Sequence, residues 1–173
     1  MNLLQKFKPI TTFIFDIDGV LTDGTLLVLS GDQQLRLMHV KDGLGLQMAI
    51  KNGYRVLIIS GGFSEQAKER LVNLGITEIH MSIKDKMQFV SGYIDRNSLG
   101  WEEVLYMGDD LPDIQLLKAV GISCCPADAI AEIREFADYI SPLHGGQGCV
   151  RDVIEKVLKI NSHWRYETDI VSK

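Results

Sequence analysis

Thr12-Phe13-Ile14-Phe15-Asp16-Ile17-Asp18-Gly19-Val20-Leu21-Thr22-Asp23 is the stretch on which the fold turns. Four apolar or β-branched residues in a row read as a short strand, and the strand stops at a carboxylate. The same grammar recurs downstream. Runs over 55–59, 78–81, 104–107 and 121–125, with a shorter one over 138–140, are strand candidates. Helical patterns over 45–52, 64–74, 84–97, 112–120, 129–136 and 150–158 alternate with them, apolar residues recurring in helical steps as Ala67, Leu71 and Leu74 do. Such alternation predicts an α/β fold: a three-layer, doubly wound parallel sheet of Rossmann-like type, covered by helices on both faces. One segment breaks the rhythm. Residues 25–30 and 34–40 read as two strands joined by Ser30-Gly31-Asp32-Gln33, a β-hairpin placed directly after the first strand's loop.

The bulk numbers agree with a soluble enzyme-sized globule. The 173 residues fit one domain over 1–173, with the hairpin of about 25–40 as a flap and a polar tail from about 162. The net charge of −5 speaks against nucleic acid or an anionic membrane as a partner. No apolar run approaches the ~18 residues of a membrane span. The first residues carry Lys6 and Lys8 where a secretory signal would be apolar, so a cytoplasmic location is expected. Cys124, Cys125 and Cys149 lack the spacing of a zinc or redox site and read as reduced core thiols.

In an open parallel sheet, ligands sit at the carboxyl ends of the strands. The chain puts Asp16 and Asp18 after its first strand, Ser60-Gly61-Gly62 after the second, Lys86 after the third, and Gly108-Asp109-Asp110 with Asp113 after the fourth. Any one of these would pass as a cap or a turn. Together they define a chemistry. Converging carboxylates repel unless a cation holds them, and hard oxygen ligands suit Mg2+. Asp16 and Asp109 are the expected side-chain ligands, and a metal-bound, ionised Asp16 can attack phosphorus. Asp18, two residues on, can protonate the leaving oxygen and later activate water. Ser60 and the Gly61 amide can hold phosphate oxygens. Lys86 supplies positive charge to both nucleophile and phosphoryl group.

The run from Phe15 to Asp23, with Ser60-Gly61, Lys86 and Gly108-Asp109-Asp110-Leu111-Pro112-Asp113, resembles the four motifs of the haloacid dehalogenase superfamily. The resemblance implies Asp16 as nucleophile and Asp18 as acid/base. It implies magnesium on the Asp16 carboxylate, the Asp18 backbone carbonyl and Asp109, with Asp110 and Asp113 supporting that shell. Only residues 19–59 separate the first two motifs, too few for a cap domain. This capless pattern, with His39-Val40-Lys41-Asp42-Gly43-Leu44-Gly45 and Gly145-Gly146-Gln147-Gly148-Cys149-Val150-Arg151, is similar to the 3-deoxy-D-manno-octulosonate 8-phosphate phosphatases of lipopolysaccharide precursor synthesis. That likeness implies a phosphorylated sugar acid as substrate and a homotetramer whose neighbouring subunits and Gly-rich tail close the site. The implied substrate contacts are His39, Val40, Lys41, Asp42, Gly43, Gly61, Gly62 and Arg70. The octulosonate enzymes often carry arginine at the positions of Gln47 and Gly62, and the sialic-acid-type 9-phosphate enzymes often carry glutamate at the latter. Gly62 offers neither charge, so the nine-carbon substrate stays open as the alternative. A phospho-accepting signalling domain would share the acidic pocket and the lysine, but Asp18 argues for hydrolysis over storage.

Overall fold

Phe13 and Phe15 pack into one apolar layer while Ile14, between them, packs into another. That division runs through every central strand, because successive side chains of a strand point to opposite faces. The structure, a computed structural model, describes residues 2–30 and 34–164. In chain order its elements are α1 (Leu3–Phe7), β1 (Thr12–Phe15), β2 (Leu27–Val28), β3 (Gln34–Leu35), α2 (Val40–Lys51), β4 (Arg55–Ile59), α3 (Glu65–Asn73), β5 (Glu78–His80), α4 (Lys86–Asn97), β6 (Val104–Met107), α5 (Ile114–Ala119), β7 (Ile122–Cys125), α6 (Ala131–Phe136), β8 (Tyr139–Ile140) and α7 (Cys149–Ile160).

Six strands form one parallel sheet in the order β5-β4-β1-β6-β7-β8. Val56, Ile58, Leu105 and Met107 join Phe13 and Phe15 against α2, α3 and α7. Leu57, Ile59, Val104 and Tyr106 join Ile14 against α4, α5 and α6. The sheet is therefore buried on both sides, which explains why its strands read as unbroken apolar runs. The chain winds outward from β1 to β4 and β5, then returns to β6 on the other side of β1. Ligands of doubly wound sheets bind at this kind of reversal. The two strand ends are tied there by the Asp16 N–H, which donates to the Met107 carbonyl at 3.1 Å.

Several boundaries differ from the sequence reading. The hairpin's second strand was expected to reach residue 40, but β3 ends at Leu35 and one further bridge pairs Met38 with Thr22. The helix expected from 45 begins at Val40, because His39 caps it: its Nδ1 accepts from the Lys41 N–H at 3.3 Å. The segment over 112–120 starts as a single tight turn, Leu111–Asp113, before α5. The short α1 was not anticipated. Asn2 and Gln5 form a capping box that starts it, and Phe7 anchors it in the core. Of the turn expected at 30–33, residues 31–33 lie outside the described residues, as does the tail expected from about 162 once past Trp164; its first residues stay tied to α7, the His163 and Trp164 amides donating to the Leu158 carbonyl.

Candidate active site

Everything polar that ends the central strands opens into one cavity of about 750 Å³. Asp16 leaves β1 with its carboxylate buried. Its Oδ1 accepts from the Ile17 N–H at 2.7 Å, and its Oδ2 lies 2.8 Å from Lys86 Nζ. The turn that follows is pinned by the buried Thr22 hydroxyl, which donates to the Ile17 carbonyl and accepts from the Gly19 and Gly24 amides. Gly19 is required there. Its φ is +85°, and a Cβ would stand 2.0 Å from Asp109 Oδ2. The Asp16 turn and the β6 loop can thus approach only over a glycine.

Lys86, the first residue of α4, reaches between two carboxylates, Asp16 at 2.8 Å and Asp113 at 2.6 Å. Asp113 is fully buried and saturated. Its Oδ1 accepts from Lys86 Nζ and from the Tyr106 hydroxyl, both at 2.6 Å; its Oδ2 accepts from the Asp109 and Asp110 amides. Ser60 is buried at the end of β4, its Oγ accepting from the Gly62 N–H at 3.1 Å. Asp18 is half-exposed at the cavity edge and ion-paired with Arg36 of the hairpin at 2.6 Å.

The charges do not balance. Asp16, Asp109 and Asp113 each bring an oxygen within 4.8 Å of the others, a set that could hold a cation; Lys86 is the ammonium paired with two of them. Burial raises Asp16 to about 6; Lys86 pulls it down, and Asp113 pushes it up. Burial likewise raises Asp109 to about 7, with Asp16, Asp113 and Asp110 adding to the rise. Burial alone would lower Lys86, but Asp16 and Asp113 outweigh it and hold the ammonium above the ordinary lysine range. An ion pair would by itself lower its acid, so the raised Asp16 reports burial that outweighs the pull of Lys86, with Asp113 adding to the rise. Because Asp113 is already committed to four donors, Asp16 and Asp109 are the two that have oxygens to offer a metal.

The sequence-expected residues fall into two groups. Asp16, Asp18, Ser60, Gly61, Gly62, Lys86, Asp109, Asp110 and Asp113 line the cavity. Asp110 does so as an exposed cap, its Oδ1 accepting from the Leu111 N–H. His39, Val40, Lys41, Asp42, Gly43 and Arg70 do not line it. His39 and Lys41 border a second hollow beside α7. Asp42 is buried and accepts from the Gly148 and Arg151 amides, so it caps α7 within its own chain. Gly43 faces Arg70 and Leu74 across the α2–α3 contact. Gly145 and Gly146, at the start of the Gly-rich segment expected to help close the site, pack on their own chain's Asp16 turn: Gly146 N–H donates to the Val20 carbonyl at 2.9 Å. Arg36 and Tyr106 were missed. A tyrosine in a buried central strand must place its hydroxyl somewhere, which was the available signal for Tyr106.

A buried aspartate on the turn at the switch point, a lysine bridging two carboxylates and an acidic loop after β6 make up the site. The chain belongs to the haloacid dehalogenase-like hydrolases, whose family pattern matches residues 63–153. Among its relatives, the 3-deoxy-D-manno-octulosonate 8-phosphate phosphatase of Escherichia coli K12 is 32% identical over 157 residues, covering 91% of this chain and 84% of that protein. The Moraxella catarrhalis enzyme of that name, solved with magnesium, phosphate and its KDO molecule, superposes with a TM-score of 0.88 at 34% identity, covering 91% of each chain. The cobalt-bound Haemophilus influenzae phosphatase superposes at 0.87 and 30% identity, covering 91% of this chain and 92% of that one. Membership in a hydrolase family sets aside the signalling-domain alternative. No helix among the described residues is long and apolar enough to cross a membrane.

Proposed function

We propose that this hydrolase is a magnesium-dependent phosphomonoesterase that converts 3-deoxy-D-manno-octulosonate 8-phosphate to the free sugar acid and phosphate, in the cytoplasmic synthesis of lipopolysaccharide precursors. The observation that carries the chemistry is the buried Asp16 carboxylate set against Lys86 at the strand switch point. The substrate rests on the relatives' names and on their coverage of nearly the whole chain. The chain acts as one domain, with the hairpin as its flap, and assembles as a homotetramer.

Asp16 and Asp109 would hold the magnesium, together with the Asp18 backbone carbonyl, and Asp113 would orient the shell through the Asp109 and Asp110 amides. When bound, the ion neutralises phosphoryl and carboxylate charge. An Asp16 oxygen attacks phosphorus, and the bond from phosphorus to the sugar oxygen breaks. Asp18 gives that oxygen its proton. Water then attacks the aspartyl-phosphate, Asp18 takes the water's proton, and the bond to Asp16 breaks to release phosphate. Lys86 faces the charge that builds on the phosphoryl oxygens, while Ser60 and the Gly61 amide cradle them.

The test compares kcat/KM for the octulosonate 8-phosphate, a sialic-acid-type 9-phosphate and glucose 6-phosphate, with magnesium present. The eight-carbon acid should be the best of the three. A preference for the nine-carbon acid moves the assignment to that branch, and a preference for glucose 6-phosphate removes the sugar-acid reading. Asp16→Asn should lose more than ~1,000-fold in kcat while keeping its fold.

A further inference from the structure

We propose that Arg36, on the hairpin, is a positioning residue that fixes the ionised Asp18 carboxylate for the step in which it takes the proton from water. The proposal rests on the reading of Asp18 as the acid/base. Arg36 holds Asp18 side-on: Nε to Oδ1 at 2.6 Å and Nη2 to Oδ2 at 3.3 Å. Its Nη1 reaches the Gln34 carbonyl at 3.4 Å, which anchors the guanidinium to its own hairpin. The Arg36 side chain is only 6% exposed, whereas Asp18 is 38% exposed. A guanidinium is buried at a cavity edge only against a strong partner, and here that partner is one carboxylate.

Asp18 needs such a hold. It sits in a turn, with φ −75° and ψ 120°, not in a helix or strand that would fix its side chain. Among the described residues, Arg36 is the group that hydrogen-bonds its carboxylate. The facing loop supplies no side chain at its nearest point. A Cβ on Gly62 would lie 3.2 Å from Asp18 Oδ2 and 3.5 Å from Arg36 Nη2. A side chain at 62 would crowd the Asp18 carboxylate by a few tenths of an ångström and touch the guanidinium, so the glycine leaves the pair unpressed from that side. Two parallel contacts fix the rotation of a carboxylate, which one ammonium would not do.

A double-mutant cycle separates this role from simple anchoring of the hairpin. Arg36→Met and Arg36→Lys are made alone and with Asp18→Asn, and kcat and KM are measured on the octulosonate 8-phosphate and on p-nitrophenyl phosphate. Arg36→Met should lower kcat ~10- to 100-fold with KM within ~3-fold, and Arg36→Lys should recover part of it. In the Asp18→Asn background neither change should cost more than ~2-fold. An equal loss in both backgrounds, a loss confined to KM, or no loss at all overturns the proposal. Should Arg36→Met fail to fold, the Arg36→Lys cycle decides on the same criteria. Near-normal turnover by Asp18→Asn alone would instead remove the acid/base reading, and the proposal with it. Running both substrates keeps the result independent of which sugar the enzyme prefers.

Discussion

Asp16 and Asp109 are held well above their ordinary value of 3.8, at about 6 and about 7, chiefly by burial. A carboxyl whose folded pKa is raised carries protons that the unfolded chain lacks between those values. Metal-free stability should therefore be greatest below about pH 4 as far as these two groups go, and should fall as pH rises toward about 7. Magnesium held by these two residues would need both carboxylates ionised, so its binding would release protons and strengthen with pH. The expected outcome is a melting temperature that magnesium raises more at about pH 8 than at about pH 5, relative to EDTA. An equal gain at both would detach the metal from these two residues. Both were legible as strand-end carboxylates, because a polar residue ending an apolar run is conspicuous. Arg36 was not. Alternation shows that it faces away from Leu35 and Leu37, but not which of the two faces meets the protein. Within this chain the two leucines are on the exposed face and Arg36 is on the one that meets the protein.

At the scale of elements, the Asp16 turn is clamped from two sides, by the β6 loop and by the Gly-rich segment before α7. A Cβ on Gly145 would stand 2.0 Å from the Gly19 carbonyl oxygen and 2.9 Å from that of Thr22. Backbone cannot yield as a flexible side chain would, so Gly145→Ala must displace the turn that carries Asp18. It should cost ~1–3 kcal/mol of stability and lower kcat at least ~10-fold. Gly75→Ala is the control: its φ is +94°, but nothing lies within 4 Å of the added carbon. It should cost about 1–2 kcal/mol and leave kcat alone. Urea denaturation and turnover of the two variants check this, and matching kcat values would show that the segment is only a turn before the helix. The sequence announced the six parallel strands because both faces of the sheet are buried, which makes each strand a dense apolar run. It misplaced the end of the hairpin because His39 reads as strand edge until its role as the cap of α2 is seen. Nor does spacing alone show that the glycines meet a loop more than a hundred residues earlier.

For the whole molecule, the question is what stands opposite the cavity. Along the hairpin and just beyond it, Leu27, Val28, Leu37 and Val40 are 59%, 67%, 74% and 69% exposed. Apolar exposure of this kind, concentrated on one short segment, marks a contact surface. The same hairpin carries Arg36, so whatever seats its outer face also fixes the group that grips Asp18. Meanwhile Arg70 and Lys41, expected at the substrate, lie outside their own chain's cavity. These observations fit an assembly in which hairpins pack on one another and a neighbour supplies the missing wall. Leu37→Asp should therefore shift the protein toward monomer in light scattering. It should also reduce kcat/KM at least ~10-fold for the sugar acid phosphate, and less for p-nitrophenyl phosphate, which is too small to need the wall. Subunit mixing then asks whose Arg70 serves which Asp16. Asp16→Asn and Arg70→Ala assemblies should each be poorly active alone. If Arg70 works across an interface, mixed assemblies regain activity, because some sites combine an intact Asp16 with a neighbour's intact Arg70. Assemblies that form without such rescue would confine Arg70 to its own subunit, where it faces Gly43 between α2 and α3. A fully active monomer would show that the open crevice suffices and that the exposed leucines serve some purpose other than catalysis.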